Sequence, residues 1–479
     1  MCRVPENRVD LLKKGTLYLI AGWSVSLIAG YGINVWLARF LGPAQYGVYG
    51  VVMSLLLWIE IGVISGIPTG VQKFVAAHPG GAAGIVKKSS VVQLFYISLL
   101  FVLSWFLAPF AAGFFKNSNL TFYLRIAVFD LWVYGFYFIY LSLQNGLHNF
   151  RNQACLIALY SASKLVFVIL LVKMSGSITG AFIANICGSF AGLFLSLYFS
   201  RNVKKTENLS VIGFSEIISF AAPIAVFSLA VNLFLNVDLW VVKYFLSSSN
   251  AGFYVSASTV ARIPYFLFFA LSSTVLPMMS RALSKKDLAA ARQIISDAVK
   301  FLIICLTFIV SVTAAFSKEI MILLFSDKYA AAGDVVKYLI IGMSFLALFF
   351  LFSTILNADN KPKTALLLTV SGVILDVFAA VIFVPKMGIV GGAAATTVAL
   401  FFTCAAAWIV IFKRFGKFFN LKSGIKIILS GAVIYFSAVL INPKGFLMIG
   451  SMAALLVIYL ILLYGFGEIS FNFRDLIKK

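Results

Sequence analysis

With 479 residues, 62% of them hydrophobic and only 11% charged, the chain cannot cover a water-facing surface, since ordinary globular chains run at roughly 45–50% apolar and about 25% charged. A soluble multidomain protein, a disordered chain and a disulfide scaffold are excluded, which leaves a polytopic membrane protein. The net charge of +22 is divided among short clusters between apolar runs (Lys87-Lys88, Lys204-Lys205, Lys285-Lys286, Lys413-Arg414), a pattern of loops facing anionic headgroups rather than a patch for nucleic acid.

A crossing needs about 20 mainly apolar residues. About fourteen segments reach that length: 15–39, 46–70, 89–114, 121–147, 153–173, 178–200, 213–238, 251–280, 296–316, 335–357, 365–384, 389–412, 424–441 and 446–466. The opening MCRVPENRVDLLKKG is basic and has no cleavage signature after it, so the first run is expected to be retained as a helix. Gly22, Ser26 and Gly30 repeat every four residues along it, a seam for close helix contact. Gly42-Pro43 breaks the chain before the second segment, where Glu60 stands among Leu57, Trp58, Ile59 and Ile61. The fourth segment carries Asp130, Tyr134, Tyr137, Gln144 and His148 as one stripe, and the fifth carries Gln153, Tyr160 and Lys164. On the seventh, Ser228, Asn232, Asn236 and Lys243 share a face while Asp238 points away from Asn236. On the eighth, Tyr254, Ser258, Arg262, Tyr265 and Ser272 align, with Arg262 about eight residues into the helix. Asp376 lies in the eleventh, and the run Gly388, Gly391, Gly392, Ala393, Ala394, Ala395 opens the twelfth. Breaks at His78-Pro79-Gly80, RNVKKTEN (201–208), Lys361-Pro362-Lys363 and Asn442-Pro443 carry turn chemistry.

Two segments recur in the same order: FLGPAQYGVY (40–49) with FLSSSNAGFY (245–254), and VKMSGSITGA (172–181) with PKMGIVGGAA (385–394). They point to a duplicated six-helix unit with a substrate cavity between the two copies. The expected organisation is therefore 1–205 for helices one to six, 206–420 for helices seven to twelve, and 421–479 for two further helices and a basic tail. Lys and Arg number about 26 at the N-terminus, the even loops and the C-terminus, against about ten in the odd loops, so both ends are expected in the cytoplasm.

The five cysteines are scattered without metal or redox spacing, and only His78 and His148 could offer imidazole. No phosphate-binding loop is present, and no soluble segment is large enough for a catalytic domain, so no enzyme and no cofactor are expected beyond a coupling H+ or Na+. The ionisable groups within helices each cost on the order of 2.5–3.5 kcal/mol at mid-bilayer and should meet a partner or a wet cavity. Asp130, Asp238, Glu60 and Asp376 are the candidates for ion coupling. Arg262, Lys164, Arg39 and Lys243 are the candidates for a phosphate or pyrophosphate group, Arg offering a bidentate fork. Tyr134, Tyr137, Gln144, Asn232, Asn236, Tyr254, Ser258 and Tyr265 combine ring faces, amides and hydroxyls that suit sugars. Against these stand plainer roles: Tyr and Asn often pack between membrane helices, Lys243 and Arg39 near helix ends can snorkel, and Asp130 with Lys164 can form a structural ion pair.

WLARFLGPAQYGVYGVVMSLLLWIEIGVISGI resembles the first two helices of polysaccharide transporters, the oligosaccharide (O-antigen type) flippases, through Arg39, Leu41, Gly42, Pro43, Tyr46 and Gly47. NVDLWVVKYFLSSSNAGFYVSAS is similar to the family's seventh-to-eighth helix region, with Asn236, Asp238, Gly252 and Tyr254 in place. LPMMSRAL (276–283) and IFVPKMGIVGGAAATT (382–397) resemble two later patterns. Ser247-Ser248-Ser249 departs from the family, and so does Asp376, where Asn is more usual. The resemblance implies an all-α integral membrane protein of the multidrug/oligosaccharidyl-lipid/polysaccharide exporter superfamily that flips a polyprenyl-pyrophosphate-linked oligosaccharide across the cytoplasmic membrane by alternating access. Its implied partners are membrane lipids and the polymerase or glycosyltransferases of the same pathway, with no nucleic acid, and it is expected to act as a monomer. The alternatives are a cation-coupled multidrug or metabolite exporter and a lipid II flippase; the lipid II branch is expected to carry several arginines in its first two helices, where this chain has only Arg39.

Overall fold

The computed structural model describes residues 8–201, 203, 212–441, 443 and 445–469. Cys2, the Lys204-Lys205 pair with the 205/206 boundary, Asn442, Lys444 and the basic tail lie outside them. Apolar runs in lipid have no water to satisfy their amides, so the backbone must bond to itself as helix. Among the described residues the elements are helical throughout: α1 (Arg8–Ser65), α2 (Ile67–Ala77), α3 (Ala82–Phe114), α4 (Asn119–Ala127), α5 (Asp130–Gly146), α6 (Phe150–Ser175), α7 (Ile178–Ser200), α8 (Phe214–Phe234), α9 (Val237–Phe245), α10 (Ser248–Ala261), α11 (Ile263–Ser284), α12 (Leu288–Ala315), α13 (Ser317–Phe325), α14 (Ala332–Ala358), α15 (Pro362–Met387), α16 (Ile389–Phe415), α17 (Leu421–Ile441) and α18 (Leu447–Gly465).

Twelve helical runs among the described residues are long and apolar enough to cross a bilayer, where the sequence suggested fourteen. One of the twelve, Lys14–Ala77, is 64 residues long, room for more than one crossing of about 20 residues. It bends at Gly42, whose φ of 76° and ψ of 172° belong to glycine alone. The expected seventh segment is divided between α8 and α9. The eighth is divided between α10 and α11, with Arg262 at the joint. Phe110, Phe194 and Leu440 are among many large apolar side chains left exposed, the surface of a protein whose solvent is lipid.

The chain forms two compact units, Met1–Asn236 and Val237–Lys479. In the first, α6 runs against both α1 and α7. The expected small-residue seam is used there: a Cβ on Gly22 would lie 2.8 Å from the carbonyl oxygen of Ala154, and Ser161 donates to the Ser26 hydroxyl at 2.9 Å. Helix α8 packs on α1, α2 and α3, with the Trp58 indole donating to the Leu229 carbonyl. Helix α8 thus belongs to the first unit, which ends at Asn236. In the second unit α14 is buried along most of its length, touching α10, α11, α12 and α16, while α17 and α18 lie against α12. Tyr459 of α18 donates to the Ile304 carbonyl at 2.9 Å.

Candidate substrate and ion sites

Two helical runs, α4 into α5 and α8 into α9, tighten at mid-length and start again with a carboxylate in the first turn. Between α4 and α5 the bonding shortens to i→i+3, Phe129 N–H to Ile126 at 3.2 Å and Leu131 N–H to Val128 at 3.1 Å. Between α8 and α9 it does so again, Leu235 N–H to Asn232 and Asn236 N–H to Leu233, both 3.1 Å. The second half-helix then opens with Asp130 in one unit and Asp238 in the other. An acid in the first turn meets the unpaired N–H groups and positive end of the helix dipole. Interrupted helices within a membrane commonly mark ion and substrate sites.

In the first unit Asp130 is buried, and the Asn185 amide of α7 donates to its Oδ2. Ser189, one turn further along α7, sits beside the same carboxyl. Glu60 of α1 is also buried and lies within hydrogen-bonding reach of Asp130. Glu60 Oε1, Asp130 Oδ1 and Asn185 Oδ1 are buried without a hydrogen-bond partner. Lys164 of α6 is near enough to act on both acids, and its ammonium stands 5.8 Å from the Tyr160 ring centre. Tyr160 stacks on Tyr137 at 4.9 Å and tilts against Tyr134 at 5.8 Å. The closeness of α6 and α7 is made by Gly188, where a Cβ would stand 2.9 Å from the Lys164 Cβ.

In the second unit Asp238 accepts from the Tyr254 hydroxyl at 2.7 Å, from the Leu239 N–H at 2.7 Å and from the Thr396 hydroxyl at 3.3 Å. Asp376 of α15 lies beside Asp238 and Thr396, is fully buried, and has no hydrogen-bond partner on either carboxyl oxygen. Arg262, half-buried at the joint of α10 and α11, acts on Asp238. Gly392 gives Tyr254 its place, since a Cβ there would stand 3.1 Å from the ring.

The expected site residues thus fall into groups. Glu60, Asp130 and Lys164 come together, and so do Asp238, Asp376 and Arg262. Tyr134, half-buried, joins the first group, and Tyr265, half-buried against Phe350 at 5.4 Å, neighbours Arg262. Tyr137 and Tyr254 are instead buried, the first donating to the Leu156 carbonyl at 3.4 Å and the second to Asp238. Gln144 is a buried latch, donating to Ser200 and accepting from Asn149 and Asn152. Asn236 donates to the carbonyl and the side-chain oxygen of Asn232, each at 3.0 Å. Lys243 is buried on the last turn of α9, Ser258 is buried on α10, and Arg39 is exposed three residues before the Gly42 bend. Arg262 is not eight residues inside a helix but between two, because Pro264 has no N–H to continue the ladder. Asn185, Ser189 and Thr396 escaped the sequence reading. Asn185 and Ser189 share an i, i+4 face with Gly192 and Ser196, a small polar stripe that would have marked them.

Both groups have the same charge arithmetic, two buried carboxyl groups beside one half-buried base, and uncompensated charge in such a place is costly.

Comparison with known proteins agrees with this architecture. The family model described as "Polysaccharide biosynthesis protein" matches residues 12–283, and the MatE model matches residues 223–382. A "probable low-salt glycan biosynthesis flippase", Agl15 of Haloferax volcanii, is 30% identical over 162 residues, 33% of this chain and 34% of its own length. Stage V sporulation protein B of Bacillus subtilis is 22% identical over 80% of each chain. Among solved structures, the lipid II flippase MurJ in an inward closed conformation superposes with a TM-score of 0.76 at 18% identity, covering 96% of this chain and all of its own. An inward-facing multidrug resistance MATE family transporter gives 0.71 at 12% identity, covering 84% and 98%. The families and neighbours matched are transporters and flippases rather than catalysts. With the family model spanning more than half its length, the chain belongs to the polysaccharide biosynthesis protein family and is a multi-pass membrane transporter of the multidrug/oligosaccharidyl-lipid/polysaccharide exporter superfamily.

Proposed function

We propose that the protein flips a polyprenyl-pyrophosphate-linked oligosaccharide across the cell membrane by alternating access, for surface polysaccharide assembly, with an ion gradient as the drive. The observation that carries this reading is the half-buried trio of Lys164, Tyr134 and Tyr160 in a chain of this family: an ammonium beside aromatic faces and hydroxyls suits a sugar joined to a phosphate. Arg262 with Tyr265 repeats that combination in the second unit. Asp238 and Asp376, with the hydroxyls of Tyr254 and Thr396, offer oxygen ligands for a coupling H+ or Na+. Both termini face the cytoplasm in this reading, and the protein works as a monomer beside the polymerase and glycosyltransferases of its pathway.

The test is the double variant K164A/R262A in a strain deleted for the wild-type gene. Lipid-linked glycan accumulates on the inner leaflet and surface glycan falls by at least about tenfold, while the variant still inserts in the membrane. Surface glycan at the wild-type level would remove both residues from the mechanism. The MatE match over residues 223–382 favours one other reading, a cation-coupled exporter of small molecules. That reading requires a deletion strain sensitive to cationic dyes with its surface glycan unchanged.

A further inference from the structure

The first unit sets the Lys164 ammonium beside two acids that are buried more deeply than it is: Glu60 and Asp130 are 3% and 1% exposed, whereas Lys164 is half-buried. With both acids ionised, Lys164 is outnumbered and the group repels an anion. One proton on the pair makes the group neutral, and a second leaves the ammonium uncompensated. Two neighbouring carboxyls, each with an oxygen lacking a donor, are suited to share that proton, since a protonated carboxyl supplies the O–H that neither ionised group has.

We propose that proton uptake by Glu60 and Asp130 switches on an anion site at Lys164, so that a proton and the diphosphate of a lipid-linked sugar bind the first unit together rather than in competition. The proposal rests on the lipid-linked glycan reading for the identity of the anion and adds the protonation state in which the anion binds. The titratable groups around the acids support this assignment. Helix α1 contributes Glu60 and Tyr49, α5 contributes Asp130 and Tyr134, and α6 contributes Lys164 and Tyr160. Helix α7 adds the neutral Asn185 and Ser189, and from α3 the Gln93 amide is committed to the Val63 carbonyl. Phenols carry no charge between pH 5 and 8, whereas two buried, neighbouring carboxyls with unpartnered oxygens favour the protonated form well above the ordinary carboxyl range. The Gly188 contact seats the base of the Lys164 side chain against α7, and its ammonium lies 5.8 Å from the Tyr160 ring centre.

The experiment uses the full chain in nanodiscs of neutral lipid and farnesyl-diphosphoryl-N-acetylglucosamine as the probe, whose diphosphate diester keeps both charges between pH 5.5 and 8. Removing one unit charge a few ångströms from Lys164 should tighten binding at least about tenfold. The wild type therefore binds at least tenfold more tightly at pH 5.5 than at pH 8. E60Q/D130N binds tightly at both, and K164M binds weakly at both. Should E60Q/D130N fail to fold, K164M alone decides, because loss of the ammonium must weaken binding at pH 5.5 at least about tenfold. Equal wild-type affinity at the two pH values, weaker binding at pH 5.5, a pH dependence that survives in E60Q/D130N, or wild-type affinity of K164M at pH 5.5 overturns the proposal and leaves the flippase reading standing. Displacement of the probe by phosphatidylglycerol assigns the anion site to lipid and overturns it too. Failure of the wild type to bind the probe at either pH removes both.

Discussion

Asp376 carries the least compensated charge among the described acids, buried with both carboxyl oxygens unpartnered. A cation that binds there stabilises the folded state by mass action, about 2.7 kcal/mol at a hundredfold excess over its Kd. The wild type is accordingly expected to melt a few degrees higher on addition of the coupling ion. D376N, which keeps the shape and deletes the charge, is expected to melt at least as high as the ion-free wild type and to show no ion response. Thermal shift in detergent with Na+ titrated at fixed pH, then pH varied without Na+, separates the two cations. An unaltered ion response in D376N would take Asp376 out of the coupling site. These acids were legible in the sequence because a charge in an apolar run is expensive wherever it stands. Their partners were not legible. Glu60 has only apolar sequence neighbours, and its companions arrive from α5 and α6, far along the chain. The aromatic stripes misled for a related reason: helical spacing put Tyr134, Tyr137 and Gln144 on one face, but Gln144 is satisfied by Asn149, Asn152 and Ser200 at the helix end.

At the scale of the helix, two kinds of break differ in how they are written. The bend in α1 is spelled by Gly42-Pro43 and braced across it by the Tyr46 hydroxyl, which donates to Asn34 Oδ1 at 2.9 Å. No neighbouring atom stands within 4 Å of a Cβ at Gly42, so the cost of G42A is conformational, on the order of 1–3 kcal/mol. G42A is expected to lower the melting temperature and slow flipping together, while G30A, at a helical glycine with nothing within 4 Å of a Cβ, does neither; equal stability of G42A and wild type would show that the bend is not held by glycine. The breaks before Asp130 and Asp238 were hidden because Val128-Phe129 and Leu235 carry no breaker chemistry and the chain merely tightens to i→i+3. Elsewhere ion clamps hold helix ends. Asp359, after α14, takes both nitrogens of the Arg414 fork at 2.9–3.3 Å and Lys361 at 2.8 Å. Burial alone would raise the Asp359 carboxyl, but the hydrogen bonds and charges of Arg414 and Lys361 outweigh it and hold it below the usual carboxylate range. Glu468, after α18, is likewise held low by Lys300, Ser423 and Lys426 against the pull of burial. A depressed carboxyl stabilises the fold above its unfolded pKa and loses that contribution as pH falls through the folded value, here below about pH 4. D359N is therefore expected to lower the melting temperature by about 2 °C at pH 7 and by progressively less as pH falls below about 4. A difference that does not shrink on acidification would mean the side chain acts by packing rather than by charge.

For the whole molecule, motifs recur in the sequence, yet the chemistry is not duplicated with them. The position aligned with Asp238 is Ile33, and the one aligned with Glu60 is Tyr265. Each unit has reached two acids and a base by different residues, which a repeat search cannot reveal because it looks for identity. What composition does foretell is the sidedness of the chain. Helix α12 has 28 residues and α14 has 27, each about 40 Å long at ~1.5 Å per residue, enough to cross a hydrocarbon core of about 30 Å once. Lys286 before α12 and Lys361 after α14 must then lie on one side, with Lys328 between them on the other. The excess of Lys and Arg predicts that Lys286 and Lys361 are on the cytoplasmic side. In a variant lacking the native cysteines, K328C is expected to react with a membrane-impermeant maleimide on intact cells, while K286C and K361C react only in inverted vesicles. The reverse pattern would turn the molecule over, and labelling of K286C and K328C from the same side would deny that α12 crosses the membrane at all.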